Sequence, residues 1–233
     1  MTELSPKLSF DKIAENYAHV VDTKPIHLYY ERPNLLSLMP DQLSGLNILD
    51  LGCGTGWYTE HLTSLGAEVT AADASSTMIK LTQQRVPSCR TFLVDLEESF
   101  IHLGPERFDI IIAPLVIHYV NDWYLLFSRL SQLLKPKGSF IFSTHVPYTE
   151  YMLHHLDNYF KKVVLTENWE NIGEVKFYHH TLNELTEALY EADFFIERML
   201  EPKPLSELKD VDPKSYDSIL SKPWFLFVKA IKK

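Results

Sequence analysis

Asn47-Ile48-Leu49-Asp50-Leu51-Gly52-Cys53-Gly54-Thr55-Gly56 joins a short apolar run to an acid, then to three glycines at alternate positions, and a helical pattern begins directly afterwards. This order predicts a buried strand that turns through a glycine-rich loop into a helix N-terminus, where backbone N–H groups collect and anionic or polar ligands are favoured. Glycine supplies left-handed backbone angles, and its missing Cβ lets a ligand approach the main chain. A nucleotide-like cofactor is therefore expected here.

Further strands follow at the spacing of an α/β fold. Trp57–Leu65 reads as the next helix, stopped by Gly66. Ala67–Asp73 is a second strand ending in an acid, Ser75 or Ser76 caps a helix to about Arg85, and Thr91–Asp95 is a third strand, again ending in an acid. Phe108–Ala113 is apolar enough to be buried on both faces. Asp122 caps a helix with apolar residues at 123, 126, 127, 130, 133 and 134, Lys135–Gly138 makes a turn, and Ser139–Thr144 is a fifth strand. Alternating strands and helices over 46–144 predict right-handed crossovers and a parallel sheet. Beyond, Lys162–Trp169 and Glu174–His180 read as a hairpin joined at 170–173. Thr181–Ala192 reads as a helix with Thr181 and Glu184 in capping-box positions, and Phe194–Leu200 and Trp224–Ala230 as strands. Leu205–Leu220 is part helix, interrupted at Pro213. Upstream, residues 10, 13, 14 and 17 form a helical stripe, and Ile26–Met39 reads as a helix broken near Arg32-Pro33.

With 233 residues and 45% apolar content, one domain with a cap is expected. No apolar run long enough to span a membrane and no apolar signal core appear, so a cytoplasmic protein is expected. Acids outnumber Lys and Arg by 31 to 22, a net charge of −9, which weighs against DNA or another large polyanion as partner. Neither Cys53 and Cys89 nor the histidines repeat a metal-ligand spacing, so no metal is expected.

The glycine spacing separates two cofactor classes. Dinucleotide folds need Gly-x-Gly-x-x-Gly; here the third glycine comes one residue early, and Asp50 stands in the strand. Ile48-Leu49-Asp50-Leu51-Gly52-Cys53-Gly54-Thr55-Gly56 resembles motif I of the class I S-adenosylmethionine-dependent methyltransferases, in particular the small-molecule enzymes of the ubiquinone/menaquinone-biosynthesis type. The resemblance covers about 46–145. It implies a Rossmann-like doubly wound sheet, mostly parallel with an antiparallel final strand, carrying a helical N-terminal extension and a small hairpin/helix cap. The expected partition is 1–45 as an N-terminal lid, 46–148 as the cofactor-binding core, 149–182 as an inserted cap, and 183–233 as the rest of the core sheet.

The resemblance also implies site residues. Gly52, Cys53, Gly54 and Gly56 would surround the methionine part of S-adenosylmethionine, and Asp50 would orient its ammonium directly or through water. Asp73 would hold the ribose hydroxyls, since a carboxylate accepts two hydrogen bonds at once. Ala74 follows Asp73 at that strand end. Met78 would lie against adenine, Asp95 and Leu96 would meet its edge, and Ala113 would face the sulfonium. Phe10-Asp11-Lys12-Ile13-Ala14-Glu15-Asn16-Tyr17 matches a helix whose tyrosine, here Tyr17, often contacts the cofactor. Each acid alone could be a solvated strand end, and Met78 or Tyr17 alone a packing residue; their conjunction at successive strand ends favours the site.

Methyl transfer is a displacement at an activated carbon, so the protein mainly positions the acceptor; a base is needed only for a nucleophile carrying a weakly acidic proton. His118 after strand four, His145 after strand five and His180 at the hairpin-to-helix junction are the base candidates, each against the alternative of a packed, hydrogen-bonded histidine. His154-His155 reads as a surface pair. Ala113-Pro114-Leu115-Val116 replaces the Asn/Asp-Pro-Pro-Tyr of base-amine methylation, leaving O-, C- or other N-methylation of a small molecule, with S-adenosylhomocysteine as product. A protein or RNA acceptor and a non-catalytic cofactor-binding module are the competing readings. Oligomeric state is not legible.

Overall fold

The computed structural model describes residues 14, 16–98, 103–105, 107–169 and 172–233. Seven strands form the main sheet in the order β3-β2-β1-β4-β5-β9-β8: β1 Asn47–Leu51, β2 Glu68–Asp73, β3 Arg90–Leu93, β4 Phe108–Pro114, β5 Leu134–His145, β8 Phe194–Leu200 and β9 Phe225–Lys232. β1 through β5 pair in parallel, and β9 runs antiparallel to both β5 and β8. Strand order reverses beside β1, so the carboxyl ends of β1, β2 and β4 border a crevice, the usual ligand position in an open α/β sheet. β6 Val164–Trp169 and β7 Gly173–Tyr178 form the separate antiparallel hairpin.

Both faces of the sheet are covered because strand side chains alternate. In β4, Ile111 and Ala113 join one apolar cluster with Trp123, Leu126, Phe127 and Leu130 of the helix Trp123–Leu133 and Leu185 and Leu189 of the helix Leu182–Glu191. Ile110 and Ile112 join the opposite cluster with Tyr30, Leu35, Tyr58, Leu62 and Ile219. Asp122 caps the first of these helices through Leu125 N–H, and Thr181 caps the second through Glu184 N–H. The Glu184 carboxylate pairs with Lys162 rather than closing the expected capping box.

Several boundaries differ from expectation for identifiable reasons. The break expected near Arg32-Pro33 is a wide π turn, His27–Glu31, running straight into the α-helix Arg32–Leu36. Proline has no N–H to donate, and the Tyr29 carbonyl four residues back accepts instead from Leu205 N–H at 2.8 Å. The Lys135–Gly138 turn is absorbed into β5, with the register shifting between Phe108 and Ile110 and Lys137 at φ 63°. A helix over Pro147–Leu153 ends before His154, one of the pair expected at the surface. Residues 10–13 and 15 of the predicted N-terminal helix, and 170–171 of the hairpin connection, lie outside the described residues, while 16–20 are helical.

Trp123 links the helical layer to the segment after β4. It is 1% exposed and donates its indole N–H to the Ile117 carbonyl at 2.8 Å. Trp123→Ala should lower stability by about 3–5 kcal/mol through the lost burial and the cavity left behind, read as a lower urea midpoint with a similar denaturant slope.

Candidate functional site

The glycine-rich loop leaves β1 in left-handed steps, with Gly52 at φ 73°, Gly54 at φ 54° and Gly56 at φ 81°. At Gly52 a Cβ would lie 2.4 Å from Val116 Cγ2, a contact that no side chain permits. At Gly54 a Cβ would meet nothing within 4 Å. The loop is tied to the neighbouring strand: Gly52 and Cys53 N–H groups donate to the Ala72 carbonyl at 2.8 and 3.0 Å. Gly54 N–H donates to Asp73 Oδ2 at 3.0 Å, and Ser75 N–H to Asp73 Oδ1 at 2.8 Å. These two bonds fix the orientation of the Asp73 carboxylate.

A cleft of about 760 Å³ opens from this loop. Gly52, Cys53, Gly54, Asp73, Ala74, Met78, Asp95, Leu96 and Tyr17 all line it. Gly56 stands behind it as the N-cap of the helix Trp57–Ser64, where an added Cβ would crowd Thr82. Two expected contacts are not made by the residues named. Asp50 is 1% exposed and stays outside the cleft wall, its Oδ2 accepting from Thr59 Oγ1 at 2.6 Å and its Oδ1 without a hydrogen-bond partner among the described residues. Ala113 is fully buried in the core, and Pro114, Leu115 and Val116 form the wall in its place because β4 runs one residue further than expected.

At the far end the cleft meets imidazoles. His118, on the single turn Ile117–Tyr119, and His145, ending β5, stack at 4.1 Å between centroids and 17° between planes. Burial first, then His145 and His180, hold His118 well below the ordinary histidine range, so it is neutral. His180 does not line this cleft: it lies flat on Trp123 at 3.8 Å and its Nε2 bonds the Val120 carbonyl at 2.9 Å. Its expected place at the acceptor is corrected by this packing, because the junction turns it toward the helix Trp123–Leu133. His154 does line the cleft, paired with Glu167 Oε1 at 3.1 Å.

Four groups that sequence reasoning did not select also belong to the cleft. Glu150, on the helix Pro147–Leu153, holds His145 Nδ1 at 3.0 Å and His179 Nδ1 at 2.5 Å. Glu31 is 1% exposed and accepts from Tyr58 at 2.7 Å and Ser143 at 2.8 Å; burial raises its pKa despite those bonds. Arg32 donates to the Val21 and Asp22 carbonyls at 3.1 and 3.0 Å and lies 4.0 Å over the Trp57 ring. His27 is pushed down to about 3 by burial, with Lys24 and Arg32 adding to it. The only prior signal for Glu150 was an acid five residues after His145 on a proline-started helix. Among the described residues no cluster of metal-ligating side chains occurs and no helix is long and apolar enough to cross a membrane.

Comparison with known proteins agrees with this geometry. Residues 49–142 match the family model described as a methyltransferase domain. An uncharacterized protein of Haemophilus influenzae is 28% identical over 224 residues, covering 87% of each chain. A ubiquinone biosynthesis O-methyltransferase of Rhodopseudomonas palustris is 37% identical over 103 residues, 44% of this chain and 41% of that one, so the chain spans about two fifths of that relative. A crystal structure of an S-adenosylmethionine-dependent methyltransferase from Mesorhizobium loti has 28% identity and a TM-score of 0.75, covering 91% of this chain and 100% of that one.

Burial, with the nearby Asp73 carboxylate adding, pushes Asp50 up to about 7. Its folded value exceeds its unfolded one, so the folded state binds this proton more tightly, and stability falls as pH rises from about 4 to 7. Asp50→Asn should flatten that part of the urea-midpoint profile; an unchanged slope would place the titration elsewhere.

Proposed function

We propose that this chain is a class I S-adenosylmethionine-dependent methyltransferase, with S-adenosylhomocysteine as product, that methylates a small-molecule acceptor held at the His118–His145 end of the cleft. The observation that carries this reading is the continuity of one cleft from Gly54 and Asp73 to His145. The residues fit the cofactor: the bare Gly54 backbone, the fixed Asp73 carboxylate and the Met78 side chain all face the cleft. Asp73 would hold the ribose, Met78 and Leu96 would flank the adenine, and Asp95 would accept from its amino group. Arg32 would meet the cofactor's carboxylate, and Tyr17 would cover that end. Asp50 would act from behind the loop, holding Thr59 rather than the ligand. Bound there, the cofactor supplies a methyl group already activated on a sulfonium.

The proposed acceptor end is mostly aromatic. Tyr119, Trp169, Tyr178, Trp224 and Phe225 line the cleft with His118, His145 and His154. Flat aromatic walls with few free polar groups suit a partly apolar acceptor of modest size. The net charge of −9 and the similarity to a ubiquinone biosynthesis O-methyltransferase support a small molecule and favour a hydroxyl as the methylated group. His145 is the proton acceptor in this reading, and His118, buried and neutral, is its packing partner.

Calorimetry should show S-adenosylhomocysteine binding and no NAD binding, with Asp73→Ala weakening it by about 1.5–3 kcal/mol, the scale of hydrogen bonds to a charged group; an unchanged affinity removes Asp73 from the site. Incubating the protein with labelled methyl donor and fractionated metabolites should label a small-molecule fraction. His145→Ala should cut that labelling by about 10²–10⁴-fold while keeping S-adenosylhomocysteine affinity. Full labelling by the variant would reduce His145 to packing.

A further inference from the structure

His145, Glu150 and His179 form a continuous hydrogen-bonded row leading away from the acceptor end of the cleft. His145 ends β5, Glu150 sits on the helix that follows, and His179 comes directly after β7 of the hairpin. The Glu150 carboxylate bridges the two rings, with Oε1 3.0 Å from His145 Nδ1 and Oε2 2.5 Å from His179 Nδ1. His179 Nε2 lies 2.9 Å from the Tyr159 carbonyl. A carbonyl and a carboxylate only accept, so both His179 nitrogens must carry protons, and His179 is a buried imidazolium paired with Glu150. The directions of the shifts agree. Burial lowers His179, but the Glu150 and Tyr159 bonds outweigh it and raise it. Burial raises Glu150, but the two imidazole bonds outweigh that and lower it.

The same bond assigns the tautomer of His145. Its Nδ1 faces an ionised carboxylate and therefore carries a proton, so in the neutral ring Nε2 is the acceptor nitrogen. His145 lines the cleft. We propose that Glu150, held by His179, is a positioning residue that fixes His145 with Nε2 free to accept a proton from the acceptor, which is therefore a weakly acidic O–H or N–H compound. This rests on the methyltransferase reading above and narrows its acceptor class.

The step balances with the groups present. The S–CH3 bond breaks with its pair staying on sulfur, and the X–CH3 bond forms on the acceptor atom X. The X–H proton passes to His145 Nε2, so the positive charge lost from the sulfonium reappears on the imidazole, beside the Glu150 carboxylate. His118 cannot share that role. Burial holds its pKa well below the ordinary histidine range, which makes it a weak proton acceptor, and its Nδ1 faces Thr144 Oγ1 at 3.4 Å. The remaining charged or titratable groups around His145 are accounted for. His154 and Glu167 pair with each other, His180 pairs with Glu184 at 3.1 Å, and Tyr119 is held protonated by burial.

The arrangement also joins the hairpin to the chemistry. His179 is supplied by the chain leaving β7, and Phe177 of the same strand packs edge-on to His145 at 4.8 Å. Hairpin and core therefore meet at one carboxylate.

The test uses full-length protein with ¹⁵N-labelled histidine, with and without S-adenosylhomocysteine. Long-range proton–nitrogen spectra near neutral pH should show His145 as the Nδ1–H tautomer and His179 doubly protonated. Glu150→Gln should abolish the His179 cation and mix the His145 tautomers, while S-adenosylhomocysteine affinity by calorimetry changes by less than about twofold. Glu150→Asp, which keeps the charge, should restore part of the wild-type ring pattern. A wild-type His145 in the Nε2–H form, or rings unmoved by Glu150→Gln, overturns the proposal even where cofactor binding is normal. Absent cofactor binding in the wild type would instead overturn the methyltransferase reading. If Glu150→Gln fails to fold, the wild-type tautomers still decide.

Discussion

The contact between Gly52 and Val116 is the constraint on which the site depends. The loop after β1 passes so close to the segment after β4 that a Cβ at Gly52 would lie 2.4 Å from a Val116 methyl. Two residues beyond Val116 stands His118, and Gly52 itself opens the loop that carries Gly54. One close approach thus sets the distance between the backbone cradle for the cofactor and the imidazoles at the acceptor end. The backbone bonds from Gly52 and Cys53 to Ala72, and from Gly54 to Asp73, carry the same constraint sideways to β2. Two of these bonds are main-chain and the third is to the Asp73 carboxylate, so the cradle is tied to β2 through both backbone and side chain.

The two ends of the cleft use burial in opposite ways. Near the loop, buried carboxylates resist ionisation: Asp50 is raised to about 7 and Glu31 is raised as well, each held by neutral hydroxyl donors. At the acceptor end, carboxylates are matched with imidazoles. Glu150 and Glu167 are both held below the ordinary carboxylate value by histidine partners. Polar groups satisfied by one another leave aromatic surface along that end of the cleft.

The sheet order and the loop were legible because they rest on short-range rules. Alternate glycines after an apolar run need left-handed angles, and apolar strands spaced by amphipathic helices can bury their faces in few ways. Asp73, Met78, Asp95 and Leu96 were readable as cleft residues because each sits within a few positions of a strand end. The errors have the same origin. Ala113 was assigned to the cofactor by counting to the end of β4, but the strand continues one residue further and turns Pro114 outward instead. His180 was placed at the acceptor, yet it directly follows His179 in the chain, and the junction sends one ring to Glu150 and the other onto Trp123.

By itself the sequence determined the α/β sheet, the glycine-rich cradle and the class of cofactor, since these depend on residues adjacent along the chain whose backbone requirements few alternatives meet. The acceptor end was decided only in three dimensions. Glu150, His145, His179 and His118 come from separate elements, and no periodicity links them. Which imidazole is neutral, which is a cation and which faces the cleft depends on burial and on partners far along the chain. These are properties of packing, and the order of residues alone does not contain them in readable form.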